Sequence, residues 1–344
     1  MSRRSARTRF VARLVTARLR GRPHTLSHLV TARCNGSCRT CLWRDPERGE
    51  LDTPEVEWLY REAGRAGFAQ VVVWGGEPLL RQDLPKLLLV AHRAGLSTTL
   101  ITNGWFLAER WSDLADRVDT LILSLDDVGD AHDRLRGLPG LYDRLERFAA
   151  GLAHDPRRPR LLVNTVLSRL NAGALARVAP VVRRWGAGLY FCPMETGEMT
   201  SAGFVGRRED LALPADDLRA AALEAAALKT AGYPILTTRP YLELLARDPD
   251  VRDYVCRAPR ALVTVEADGA IRDCLHTDRP LAQVRDLRDS GARLADVLSL
   301  PGRRRLVAEA SGCTKCNNPD IVELSWLWDL RPAMLRKVAQ LARL

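Results

Sequence analysis

The sequence predicts an α/β protein: a partial (βα)6 barrel of TIM type with a small cysteine-bearing module behind it. Two patterns predict this. Six short apolar, β-rich runs alternate with stretches of helical periodicity between residues 26 and 192, and strands alternating with helices build βαβ units around a parallel sheet. The residues with chemical character then cluster just after those runs, where the loops of such barrels collect function.

In chain order, residues 1–23 form an Arg-rich arm with Val11, Leu14, Val15 and Leu19 at helical spacing. The expected strands are Leu26–Ala32, Gln70–Trp74, Ser97–Thr102, Thr120–Leu125, Leu161–Leu167 and Leu189–Phe191. Between them lie the helices Glu55–Ala66, Leu84–Ala94, Leu141–Ala150 and Leu175–Trp185. These make a barrel over 24–200. Residues 201–253 read as a helical connector, with Pro214 and Asp216 opening an Ala-rich helix through Leu228. From 254 to 320 the pattern changes: Ala261–Val265 and Ala270–Asp273, split by Asp268-Gly269, predict a β-hairpin. Residues 321–344 end in a helix with Leu330, Met334, Val338 and Leu341 on one face.

The formal charge of +10 sits in one place. Residues 1–44 hold eleven arginines and no acid, which leaves the remainder at −1 (10 − 11). The body is therefore not a basic nucleic-acid-binding domain. The arm fits an interfacial helix on anionic lipid, an electrostatic arm for an acidic partner, or a helix closing the bottom of the barrel. No apolar run reaches the roughly 18 residues of a membrane span. Eight cysteines without a secretory signal point to metal or redox use in a reducing cytoplasm, with membrane association left to the basic termini.

Cys34, Cys38 and Cys41 stand at Cys-x3-Cys-x2-Cys spacing directly after the first strand, and Gly75-Gly76-Glu77-Pro78 follows the second. Three thiolates hold three irons of a four-iron cluster, where complete protein ligation takes four. A structural zinc site takes four ligands in two short pairs; His24 and His28 are the only nearby residues to complete one. With the Gly-Gly-Glu-Pro motif, the loop resembles that of the radical S-adenosylmethionine (radical SAM) superfamily, over residues 24 to about 320. The resemblance implies a 4Fe-4S cluster whose open iron chelates S-adenosylmethionine, reductive cleavage to a 5′-deoxyadenosyl radical, hydrogen abstraction from a substrate, and a reductant such as flavodoxin or ferredoxin. It assigns Glu77 to the ammonium of the nucleotide, with Gly75 and Gly76 allowing close backbone approach and Pro78 stiffening the turn. It matches Thr102 and Ser124 to the methionine carboxylate and Asp126 to the ribose, with Asn164 a weaker candidate. Thr40 replaces the aromatic residue usual before the third cysteine, and Trp43 is the candidate substitute.

Cys256, Cys274, Cys313 and Cys316, with a hairpin between the first two and Cys-x2-Cys at the end, resemble the Twitch module, the short relative of the SPASM extension. That resemblance implies an auxiliary 4Fe-4S cluster as electron acceptor or conduit; four cysteines also fit a zinc ribbon. Cys192 and Glu195, after the sixth strand, are catalytic candidates: a hydrogen donor and a substrate or proton contact. The segment before the barrel is too short for a leader-peptide-binding domain, which favours a small-molecule, sugar or lipid-linked substrate over a ribosomal peptide matured by a RiPP-modifying enzyme. A non-catalytic zinc or iron–sulfur protein is the reading of another class.

Overall fold

Side-chain alternation along the strands decides which face of the sheet meets helices and which meets the barrel interior. The computed structural model describes residues 3–194, 209–274, 276 and 280–341. After α1 (Arg3–Leu19) come β1 (Thr25–Thr31), α2 (Thr53–Ala66), β2 (Gln70–Gly75), α3 (Leu84–Arg93), β3 (Ser97–Thr102), α4 (Leu107–Leu114), β4 (Thr120–Ser124), α5 (Gly129–Arg136), α6 (Leu141–Leu152), β5 (Arg160–Leu167), α7 (Ala174–Arg184) and β6 (Gly188–Pro193). The six strands are parallel and neighbour one another in sequence order, as the βα alternation predicts.

Outward residues such as Val71, Val73, Leu100, Leu121 and Val163 are fully buried against the helices. Inward ones, including Val72, Trp74, Ile101, Ile122, Asn164 and Tyr190, keep partial exposure. A closed TIM barrel fills its interior with side chains; this one leaves its interior open. The helices dock by ordinary amphipathic burial. In α2, Val56, Leu59, Tyr60 and Ala63 recur at i, i+3, i+4 and i+7. The helix starts two residues before the expected Glu55 because Asp52 and Glu55 form a capping box (2.8 and 2.7 Å), worth about 1 kcal/mol.

The connector contributes α8 (Ala215–Thr230) and α9 (Arg239–Arg247). Between them Pro234–Leu236 runs beside β6, exchanging two backbone bonds of 2.8 Å with Leu189. After α10 (Ala258–Ala261), β7 (Leu262–Val265) pairs parallel with β1, and β8 (Ala270–Arg272) and β9 (Ala282–Gln283) continue antiparallel. The expected hairpin is present, but it is not a separate sheet: it extends the barrel sheet to nine strands, in the order β6-β5-β4-β3-β2-β1-β7-β8-β9. Short helices α11 (Val284–Asp289), α12 (Leu294–Val297) and α13 (Pro301–Glu309) follow, then α14 (Pro319–Trp328) and α15 (Pro332–Leu341).

The two terminal helices bury a face that periodicity does not predict. In α15 the buried residues are Met334 and Lys337, whereas Leu330 and Val338 are exposed. Lys337 turns inward because Glu323 of α14, itself buried, accepts from its ammonium, and Tyr190 of β6 lies 4.5 Å below it.

A buried ion network fastens the hairpin to the loop after β1. Glu266 meets Arg48 at 2.5 Å and Arg272 at 3.1 Å, all three side chains nearly solvent-free. Replacing Glu266 with Gln removes the charge that the two buried guanidinium groups share and leaves Arg48 with Asp268 at 3.1 Å. The expected loss is about 3–5 kcal/mol, read as a drop in the urea unfolding midpoint; a change under about 1 kcal/mol would show that the network does not hold the hairpin.

Candidate active site

β1 ends at Thr31, and the chain crosses the barrel mouth in an irregular loop before α2. Cys34, Cys38 and Cys41 lie on that loop, all partly buried and none in a disulfide. Burial pushes the Cys34 thiol up to about 11 and raises that of Cys41, with repulsion between the cysteines adding to both. Backbone amides oppose this: Gly36 donates to the Cys34 sulfur and Trp43 to the Cys41 sulfur, each at 3.3 Å. Trp43 packs edge-on against Trp74 of β2, their ring centroids 4.9 Å apart.

The third sulfur is served from far along the chain. Arg136 ends α5, its carbonyl accepts from the Ser37 amide (3.0 Å), and its guanidinium reaches Cys38 at 3.9 Å. Asp126, expected at the ribose from sequence, holds Arg136 at 2.8 Å and accepts from the Val166 amide at 3.0 Å. Its carboxylate thereby orients a buried cation against the cysteine loop. A buried guanidinium and directed amides beside three thiols suit an anionic iron–sulfur cluster, whose properties depend on hydrogen bonds to its sulfurs. The loop thus fits a cluster held at three corners. His24 and His28 do not complete a zinc set. Both point away from the cysteines, toward Thr25 Oγ1 (2.9 Å) and the Tyr60 hydroxyl (3.0 Å), and burial lowers them to about 4 and 3, which keeps them neutral.

Glu77 is fully buried. Its Oε1 accepts from Thr102 Oγ1 (2.7 Å) and the Leu79 amide (3.0 Å), and its Oε2 from the Asn103 amide (2.8 Å). Oε2 therefore retains acceptor capacity for an ammonium. Thr102 has one hydroxyl proton, and it is committed to Glu77; it has none left for a carboxylate. Asn103 does what sequence reasoning did not assign, its amide nitrogen reaching Asn35 at 2.9 Å and the Cys34 sulfur at 4.0 Å.

The two glycines let neighbouring backbone close in. A Cβ on Gly75 would stand 2.2 Å from the Thr31 carbonyl oxygen, and one on Gly76 would stand 2.1 Å from that of Arg33. Only glycine lets the end of β2 touch the start of the cysteine loop. Pro78 opens the one-turn 3-10 helix Pro78–Leu80 that Glu77 caps.

Ser124 closes β4 on the inward face, partly exposed. Cys192 lies deeper beside β5, its thiol donating to Asn164 Oδ1 (3.5 Å) and Asp320 Oδ2 (3.8 Å). Asp320, from the first turn of α14, is solvent-accessible within this interior, and desolvation raises its carboxyl above the usual range despite the nearby Lys337. Its only sequence signal is its place four residues after Cys316. Glu195 lies outside the described residues.

Cys256, Cys274, Cys313 and Cys316 come together behind β7. Cys274, raised to about 11, and Cys256, also raised, owe this first to burial and then to neighbouring thiols of the same set. His276 joins them, its amide 3.4 Å from the Cys274 sulfur and its Nε2 3.4 Å from that of Cys316. Among the described residues, no three His, Cys, Asp or Glu side chains close to the spacing of a single bound ion.

The Radical SAM superfamily profile matches residues 29–153, which span the cysteine loop, the Gly-Gly-Glu-Pro turn and Arg136. Residues 29–153 of this chain form a radical SAM domain. The chain is 36% identical over 172 residues to a PqqA peptide cyclase of Gluconobacter oxydans (strain 621H), 48% of either chain. It is 30% identical over 207 residues to an AdoMet-dependent heme synthase of Methanosarcina barkeri (strain Fusaro / DSM 804), 56% of this chain and 55% of that one. The chain thus spans about half the length of the curated relatives it matches. Two solved structures share the fold. Streptococcus suis SuiB bound to precursor peptide SuiA superposes with a TM-score of 0.63 at 18% identity, over 89% of this chain and 73% of that one. AnSMEcpe with bound AdoMet gives 0.60 at 15%, over 93% and 99%. The α/β partial barrel and its C-terminal extension are those of SPASM-type radical SAM structures.

Two outcomes follow for this radical SAM loop. In protein stripped of iron, alkylation of Cys34 is expected to rise with pH toward about 11 rather than through the ordinary thiol range, as read by peptide mass spectrometry. Arg136→Ala should lower iron retained after anaerobic desalting while leaving the far-ultraviolet circular dichroism unchanged; full retention would remove Arg136 from the site.

Proposed function

We propose that the protein cleaves S-adenosylmethionine reductively and abstracts a hydrogen atom from a peptide substrate held in the open barrel. The observation that carries the chemistry is the three-thiol loop with Arg136 against its middle cysteine. Cys34, Cys38 and Cys41 would hold the 4Fe-4S cluster. When bound, cluster and nucleotide supply the 5′-deoxyadenosyl radical.

The chain's own groups set the rest. Arg136, oriented by Asp126, offsets negative charge at the loop. Glu77 Oε2 accepts from the ammonium of the nucleotide, and Ser124 contacts its carboxylate. Thr102 and Asn103 hold Glu77 in place. Asp320 takes a proton from the substrate deep in the interior, its raised pKa favouring the protonated form once it is loaded. Cys192 lies beside it, its thiol positioning the Asp320 carboxylate. Cys256, Cys274, Cys313 and Cys316 would hold an auxiliary 4Fe-4S cluster, which would supply an electron acceptor with a potential tuned by bonds to its sulfurs. Cys316 lies three residues before α14, the helix that bears Asp320, so proton and electron acceptors are close neighbours in the chain.

A peptide is favoured over the small-molecule or lipid-linked substrate expected from sequence. The relatives named PqqA peptide cyclase and the fold neighbour bound to a precursor peptide support that choice. A ribosomal-peptide maturase is therefore the reading adopted here, with flavodoxin or ferredoxin as reductant.

Anaerobic reconstitution should load about eight irons, two clusters of four, and yield 5′-deoxyadenosine from S-adenosylmethionine and dithionite. Zinc alone with no cleavage would sink the enzyme reading. Cys41→Ala should abolish cleavage. Cys313→Ala and Asp320→Asn should both still form 5′-deoxyadenosine while product falls at least about tenfold; normal product from either removes that residue from the oxidation. Deuterium transferred to 5′-deoxyadenosine from labelled precursor peptides, but not from labelled sugars, decides the substrate class.

A further inference from the structure

The two terminal helices are built inside out. α1 turns two of its arginines toward the barrel: Arg13 donates to the carbonyls of Phe68 (2.8 Å) and Ala94 (3.2 Å), and Arg18 donates to the Trp328 carbonyl (2.6 Å) with its guanidinium 4.9 Å above that indole. Its solvent side is then Val11, Ala12, Val15, Thr16 and Leu19, with Leu19 81% exposed. α15 repeats the inversion, burying Lys337 and exposing Leu335 and Val338 beside Leu330.

Of the eight large apolar side chains exposed among the described residues, six belong to these two segments: Val11, Val15, Leu19, Leu330, Leu335 and Val338. The segments also meet, because Arg18 is bound to Trp328, two residues before Leu330. Both lie at the amino-terminal ends of the strands. Phe68 and Ala94 lead into β2 and β3, and Arg160, the first residue of β5, donates to the Leu341 carbonyl (2.8 Å). Neither carries an acid. Residues 1–23 hold eight arginines, and residues 330–344 hold Arg331, Arg336 and Arg343 besides the buried Lys337.

We propose that this face, opposite the cysteine loop, docks on the surface of an anionic lipid bilayer. Exposed apolar side chains flanked by arginines, with the one adjoining carboxylate, Asp329, paired to Arg257 at 3.1 Å, match a headgroup layer, which takes up both apolar burial and cationic charge. A second copy is the poorer occupant, since a two-fold contact would set one arginine-flanked surface against itself. No described helix is long and apolar enough to cross a membrane, so the contact is peripheral. The barrel mouth then faces away from the bilayer and stays open to a substrate arriving from solution.

The test is cosedimentation of the reconstituted protein with vesicles. Binding is expected to vesicles of phosphatidylcholine with phosphatidylglycerol, weak binding to phosphatidylcholine alone, and release as salt rises. The triple variant Val11→Ser, Val15→Ser, Leu19→Ser changes only exposed positions; its urea midpoint should stay put while partitioning falls about tenfold. Absence of binding to anionic vesicles at low salt overturns the proposal, as does binding unaffected by the triple variant. A wild-type dimer in sedimentation that the variant abolishes overturns it in favour of self-association, and salt-sensitive capture of an acidic polypeptide without vesicle binding overturns it in favour of a protein partner.

Discussion

One buried carboxylate holds the mouth of the barrel in register. Glu77 joins the end of β2 to the end of β3 through Thr102 and Asn103, and its own amide donates to the Arg33 carbonyl (2.8 Å) at the start of the cysteine loop. A fully buried carboxylate costs several kcal/mol unless its oxygens are satisfied, and here three donors satisfy it. The loop, the turn and the third strand are thus positioned by one group. Because Gly75 and Gly76 have no side chains, the two strand ends meet closely enough for that group to reach all three.

The second constraint is charge placed where apolar residues would ordinarily go. Arg48, Glu266 and Arg272 tie the hairpin to the loop after β1, Arg136 and Asp126 bring α5 onto the same loop, and Lys337 with Glu323 seats the last helix against β6. Each is a paired, buried interaction between different structural elements, and such pairs specify geometry more than they add stability. Their consequence at the termini is the reverse side: arginine and lysine inward leave valine and leucine outward.

Much of the fold was legible in sequence because a parallel sheet buried on its outer face writes itself as short apolar runs, and these landed within a residue or two of the strands. The cysteine loop and the Gly-Gly-Glu-Pro turn were legible for a similar reason, being contiguous. Arg136 was not, since it lies 98 residues from Cys38 and looks like any helix-ending arginine. Asp320 was hidden similarly. Asp126 and Thr102 were seen, but their partners within the protein were not, because a residue type at a strand end does not reveal which neighbour it bonds.

The covalent order of residues alone determined the alternation of strands and helices, the spacing of the seven cysteines in two sets, and the concentration of arginine at the start of the chain. These are local properties, readable from period and spacing. The tertiary structure decided which buried charge faces which partner, that the hairpin continues the barrel sheet, that the interior stays open, and which side of each terminal helix meets water. Those outcomes depend on contacts across the fold, where desolvation penalises every unpaired charge and so outweighs the pattern that a helix would follow on its own.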